Sequence, residues 1–243
     1  MSANKASKVR MTVLALLAAA LAVPAGSAQF MGPNAAVYAP TVSAGVASLN
    51  WAGYALSGAE YTSVQASWTV PTARCESGQS SMSAFWVGLG GFSPNATGVE
   101  QVGTTSNCDA KGSPSYFAWY ELFPQPAVLI GPVDPGDTIN ASVSFADGSY
   151  TLQLNEFSAT VEATGDNTSA EWITEAPATC TQTFSHCKPL PLTDFGSVTF
   201  NDTNASTFDG ALFQITMVTK SFTPKAAATP FDGTTFTVFR LHK

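Results

Sequence analysis

The chain has 243 residues, of which 45% are hydrophobic, enough apolar material for one large buried core. Only 11% are Asp, Glu, Lys or Arg and the formal net charge is -7, whereas an ordinary soluble protein is about 25% charged. That balance excludes the basic surface a nucleic-acid partner requires. It also predicts acid tolerance, because protonating so few carboxylates at about pH 3 leaves little self-repulsion.

The first element is not part of the fold. Lys5, Lys8 and Arg10 precede an apolar run from Met11 to about Val23, and Gly26, Ser27 and Ala28 follow it. The run is too short to span a bilayer and its flanks are those of a secretory signal, so residues 1–28 are expected to be removed. The product is then secreted and extracellular, with no membrane attachment. Residues 29–48, rich in Ala, Val, Pro and Ser without periodicity, read as an N-terminal leader or flexible segment, and residues 49–243 as a single domain. After the signal, seven basic residues stand against all 17 acidic ones.

Beyond Leu49 the predicted strands are, in order, 61–70, 84–89, 98–104, 115–123, 139–145, 150–157, 169–175, 196–200, 211–219 and 234–241. They are rich in Val, Thr, Phe, Tyr and Trp and are separated by Gly, Pro, Asn and Asp. The clearest hairpin turns at Asp147-Gly148, a dipeptide suited to positive φ. There Ile139, Ala141, Val143 and Phe145 alternate with Asn140, Ser142 and Ser144, as a half-buried strand requires. Segments 84–89 and 115–123 are apolar or aromatic on both faces, which suits the middle of a two-layer stack. The fold class is therefore all-β, and a monomer is expected.

Four cysteines in an exported chain predict two disulfides. Three pairings are possible. The short interval favours Cys180-Cys187, which leaves Cys75-Cys108. No Cys-x-x-Cys occurs and only His186 lies near the cysteines, so no metal site is expected, and no cofactor either.

Histidine chemistry is closed off, because His186 sits inside the small cysteine loop and His242 is one residue from the end. A Ser-His-Asp triad or Cys-His pair needs a histidine held by the fold. An acid-base group would then be a carboxylate. Most acidic residues stand in turn-like contexts, but Glu121, Glu171 and Glu175 lie inside apolar strands, where desolvation makes a carboxylate costly unless it has a task. Glu171 and Glu175, four apart, share one strand face.

Six stretches in order carry a resemblance: Asn50-Trp51-Ala52-Gly53-Tyr54, Trp68-Thr69-Val70-Pro71, Phe85 to Gly91, Glu100-Gln101-Val102-Gly103, Tyr116 to Pro124, and Ser169 to Glu175. Over residues 49–200, with a weaker echo to residue 220, the chain resembles the glutamic peptidases, or eqolisins, a family of secreted acid endopeptidases. The resemblance implies a concanavalin-like β-sandwich of two curved antiparallel sheets, polypeptide substrates, and a catalytic Gln101 and Glu175. Glu175 is preferred over Glu171 because the family's glutamate shortly precedes a small disulfide loop. Trp51 and Gly53 would line the substrate channel, Gly103 would admit a substrate backbone, and Glu121 would support the site. Trp86, Trp119 and Glu171 complete the expected lining and supporting set. Gly90, Thr105 and Phe117 depart from family positions that are often acidic, and Phe123 from a common tyrosine. Two other readings compete: a β-sandwich glycoside hydrolase using Glu121 with Glu171 or Glu175, and a noncatalytic carbohydrate- or surface-binding module in which Trp51, Trp86 and Trp119 stack on ligand.

Overall fold

The computed structural model describes residues 45–92, 96, 98–180 and 187–241. The segment read as a secretory signal, the leader reading as far as residue 44, and both histidines lie outside the described residues. Every regular element described is a strand: β1 (Gly45–Ser48), β2 (Trp51–Ser57), β3 (Ser63–Thr69), β4 (Ser81–Leu89), β5 (Val99–Cys108), β6 (Pro114–Phe123), β7 (Val128–Pro132), β8 (Thr138–Ala146) and β9 (Ser149–Leu154) in the first part. There follow β10 (Phe157–Glu162), β11 (Ser169–Glu175), β12 (Ala178–Cys180), β13 (Cys187–Pro189), β14 (Ser197–Ala205), β15 (Ala211–Val218), β16 (Pro224–Ala228) and β17 (Phe236–Arg240).

Hydrogen bonding runs along one continuous path, β10-β9-β8-β3-β14-β17-β16-β15-β2-β11-β4-β5-β6-β7, with β1 added on β15 and β12-β13 standing apart. The path doubles over, so that β4, β5 and β11 pack against β3, β8, β9 and β14. The result is a two-layer sandwich. One layer runs from β1 and β15 to β7, the other from β16 to β10, and the turn from β15 to β16 joins them. Between the layers lies the main core, with Phe85, Val87, Val102 and Trp172 from one side meeting Trp68, Ile139, Leu152 and Phe200 from the other.

The β8–β9 hairpin turns where expected, with Asp147 at φ 50° and Gly148 at φ 74°, and Ile139, Ala141 and Val143 are buried while Asn140 is exposed. Several features differ from the sequence reading, which also placed no strand at β7, β10, β12, β13 or β16. Gly45–Ser48, assigned there to the leader, form β1, and the β1–β15 pair is parallel in an otherwise antiparallel assembly. The central strand β2, flanked by β15 and β11, was not among the predicted strands. Its small residues, Ala52, Gly53 and Ala55, show no alternation because both of its faces are covered.

Gly53 has φ 141°, and a Cβ there would collide with the Trp172 carbonyl oxygen. Gly53→Ala combines a disfavoured backbone conformation with overpacking against main chain and is expected to cost about 3 kcal/mol. The midpoint of urea unfolding measures it. The Cys75-Cys108 disulfide, with Cα atoms 5.4 Å apart, ties the chain after β3 to the end of β5. Closing a loop of that size contributes about 3 to 4 kcal/mol by restricting the unfolded chain. Cys187 is also disulfide-bonded and pairs in register with Cys180.

Candidate active site

Strand register alone gathers the predicted residues on one face. Across the sheet, Glu121, Gln101, Gly88 and Glu171 occupy one row, and Trp119, Gly103, Trp86, Ile173 and Gly53 the next. A third row holds Phe117, Thr105, Ala84, Glu175 and Trp51. Rows two residues apart put side chains on the same side of a pleated sheet. This side faces away from the interlayer core and carries its own apolar cluster, in which Trp51, Trp86, Trp119, Val99, Ile173 and Phe123 take part. The Gln101 and Glu175 side chains thus belong to one surface, as a shared task requires.

The polar atoms on that face are buried and directed. Trp86 Nε1 donates to Glu175 Oε2 at 2.8 Å and Asn50 Nδ2 donates to Glu175 Oε1 at 3.2 Å. Gln101 Nε2 donates to Glu121 Oε2 at 2.7 Å. Gln101 and Glu175 are both 0% exposed and Glu121 is 1% exposed. Burial, and after it the Glu175 charge, hold the Glu121 carboxyl well above the usual range, against the lowering effect of the Gln101 amide. The Glu121 and Glu175 carboxyls therefore sense each other across this face. Gln101 Oε1, Glu121 Oε1 and Trp51 Nε1 are buried without a hydrogen-bond partner among the described residues. Buried polar groups of that kind need a partner, such as an ordered water or a bound ligand.

Glu171 shares the face but not the neighbourhood. Burial first, then the Asp166 and Glu100 charges, push its carboxyl well above the usual range, while the Ser169 hydroxyl and the Phe92 amide oppose the shift. A carboxyl among other acids is a neutral group, whereas Glu175 receives two neutral N–H donors that favour an anion. The environment thus separates two glutamates that their spacing left equivalent. The glycines answer to packing: a Cβ on Gly103 would strike the Phe85 carbonyl and stand 2.6 Å from Trp86 Cβ. Trp51 and Trp86 meet edge to face, centroids 5.1 Å apart. At 0 to 1% exposure, Trp51, Trp86 and Trp119 form the floor of the face, which removes the reading in which they present an open stacking platform.

Of the departures from the acidic pattern, Thr105 and Phe117 lie in the row of Glu175. They leave that row without a second carboxylate. Thr105 Oγ1 accepts from Asn107 Nδ2 at 3.0 Å, Phe123 joins the apolar cluster, and Gly90 makes a turn at φ 76°. Asn50 is the site residue that sequence reasoning missed. It stands in a recognised motif, but its contact with Glu175 spans 125 residues of sequence. Among the described residues no group of His, Cys, Asp and Glu could hold a metal ion.

Fold and site together define the class: an all-β sandwich that carries a carboxamide and three buried carboxyl groups on one tryptophan-floored face. The chain belongs to the Peptidase A4 family, whose model matches residues 49–230. It is 32% identical over 190 residues to aspergillopepsin-2 of Aspergillus niger and 33% identical over 175 residues to scytalidopepsin B of Scytalidium lignicola. These matches take in 65% and 66% of this chain and 64% of each relative's length. Among solved structures it is similar to scytalido-glutamic peptidase bound to a peptide-based transition-state analogue, with a TM-score of 0.66 and 24% identity over 79% of this chain and 98% of that one. It is also similar to SCP-B, a member of the eqolisin family crystallised with the tripeptide Ala-Ile-His, with a TM-score of 0.62, the same 24% identity and the same coverage of 79% and 98%. These likenesses establish the sandwich fold.

Proposed function

We propose that this protein is a secreted endopeptidase of the glutamic type, hydrolysing peptide bonds in polypeptide substrates with Glu175 and Gln101. The observation that carries the reading is the placement, on one buried face of the sheet, of a donor-supported carboxylate and a carboxamide whose Oε1 has no hydrogen-bond partner among the described residues. Family membership supports the same reaction class, and the secretory signal read in residues 1–28 supports export.

Peptide hydrolysis without a side-chain nucleophile needs an activated water and a stabilised oxyanion. Glu175 as carboxylate takes a proton from water while the water oxygen bonds to the scissile carbonyl carbon. The carbonyl oxygen becomes an oxyanion, and the Gln101 Nε2 hydrogen not given to Glu121 donates to it. Gln101 Oε1 accepts the remaining water hydrogen and so orients the attack. Glu175 then returns its proton to the amide nitrogen, the C–N bond breaks, and an acid and an amine leave. Glu121, whose carboxyl burial holds well above the usual range, accepts from Gln101 through Oε2 and fixes the amide, and in its neutral form adds no charge beside the oxyanion.

The purified secreted protein is expected to cleave denatured casein or haemoglobin between about pH 2 and 7, with its optimum on the acid side and no loss of activity in pepstatin. Loss of cleavage to pepstatin, or its absence across the range, would defeat the reading. Hydrolysis of oligosaccharides instead, with no action on protein, would favour the glycosidase.

A further inference from the structure

Behind the Asn50 contact with Glu175 stands Ser48, and both residues are 1% exposed. The Ser48 hydroxyl oxygen accepts from the backbone amides of Asn50 at 3.3 Å and Trp51 at 3.0 Å. With its lone pairs so engaged, its own hydrogen goes to Asn50 Oδ1, 3.1 Å away. That bond decides the amide's orientation, because an Asn whose oxygen faces a hydroxyl donor must turn Nδ2 the other way. Nδ2 accordingly points at Glu175 Oε1.

The main chain clamps the same unit. The Asn50 carbonyl accepts from the Ala176 amide at 2.8 Å, directly after Glu175. Lys225 Nζ, from β16, holds the Leu49 carbonyl at 3.2 Å, and β1 fixes Ser48 by pairing it with Met217.

We infer that Ser48 and Asn50 are positioning residues that orient and charge-stabilise the Glu175 carboxylate for proton transfer, so that β1 is a working part of the active site. The inference rests on the reading of Glu175 as general base. Trp86 holds one carboxylate oxygen and Asn50 the other, which fixes the carboxylate plane. Of the ionisable groups, Glu121 on β6 faces Glu175, and Glu171 shares its strand four residues away. Neither is a cation, and each neutral N–H donor to Glu175 favours its charged form.

Asn50→Ala is expected to raise the acid limb of the kcat/KM profile by about one pH unit. It should lower kcat about tenfold to a hundredfold with KM little changed, the split expected of a residue that acts through Glu175. Ser48→Ala should move the acid limb the same way by less, and Ser48→Thr, which keeps the hydroxyl, should restore it. A merely structural role would lower the melting temperature and leave the acid limb in place, and that result overturns the inference. Should Asn50→Ala not fold, Ser48→Ala decides by the same limb. Glu175→Gln is assayed alongside. If it is inactive while the Ser48 and Asn50 variants keep the parent profile, the positioning role fails alone. If Glu175→Gln stays active, the assignment beneath it fails.

Discussion

Glu175→Gln is expected to lower cleavage of denatured casein by at least about a hundredfold at every pH while the protein still folds. Glutamine keeps the volume and one oxygen but is not a base at these pH values. One of the two donors now served by Glu175, Trp86 Nε1 or Asn50 Nδ2, must then face an NH2 group. That mismatch costs about 1 to 3 kcal/mol, so circular dichroism accompanies the assay to separate lost chemistry from lost structure. Gln101→Ala should cost a similar factor for a different reason, since it removes the oxyanion donor and strands Glu121 Oε2, which accepts from Gln101 Nε2. The two losses should not multiply in the double variant, because both groups act on the same water and the same oxyanion. A folded Glu175→Gln protein with parental activity would end the proposal.

How much of this was visible beforehand depends on the range of the interaction. The β8–β9 hairpin is a local event, set by alternation and by Asp147-Gly148, and was read directly. β2 was hidden because its burial on both faces abolishes the alternation that marks a strand. Within the site, Gln101 and Glu175 were reached through resemblance, whereas the row that aligns Glu121, Gln101 and Glu171 is a fact of register across four strands. The choice of Glu175 over Glu171 came from the resemblance, and what distinguishes them physically is their neighbours, acids for one and N–H donors for the other. Asn50 escaped for the same reason. An asparagine ahead of a strand reads as a turn residue, and only the docking of β1 on β15 reveals its use.

Stability should fall as pH rises, the reverse of acid denaturation. Burial first, then the Asp166 charge, push the Glu100 carboxyl up to about 7, against its own backbone amide and the Tyr150 hydroxyl. Burial likewise holds Glu121 and Glu171 well above the usual range. Below about pH 4.5 folded and unfolded chains both keep these protons and burial carries no ionic penalty. Between the unfolded and folded values the unfolded chain releases its protons while the folded chain retains them, so the unfolded state gains. For Glu100 the loss is complete above about pH 7 and amounts to about 3 kcal/mol, or about 6 to 12 °C in melting temperature for a domain of this size. Glu121 and Glu171 extend the decline to higher pH. At the acid end the scarcity of charge limits repulsion, so the folded dichroism signal should survive at about pH 3. Melting curves in a buffer series from about pH 3 to 8 test this, with Glu100→Gln as the control: a neutral isostere has no proton to lose, so its curve should be flatter between about pH 4.5 and 7. A parent protein whose melting temperature holds steady or climbs over that interval would show that these buried carboxyls do not govern its stability.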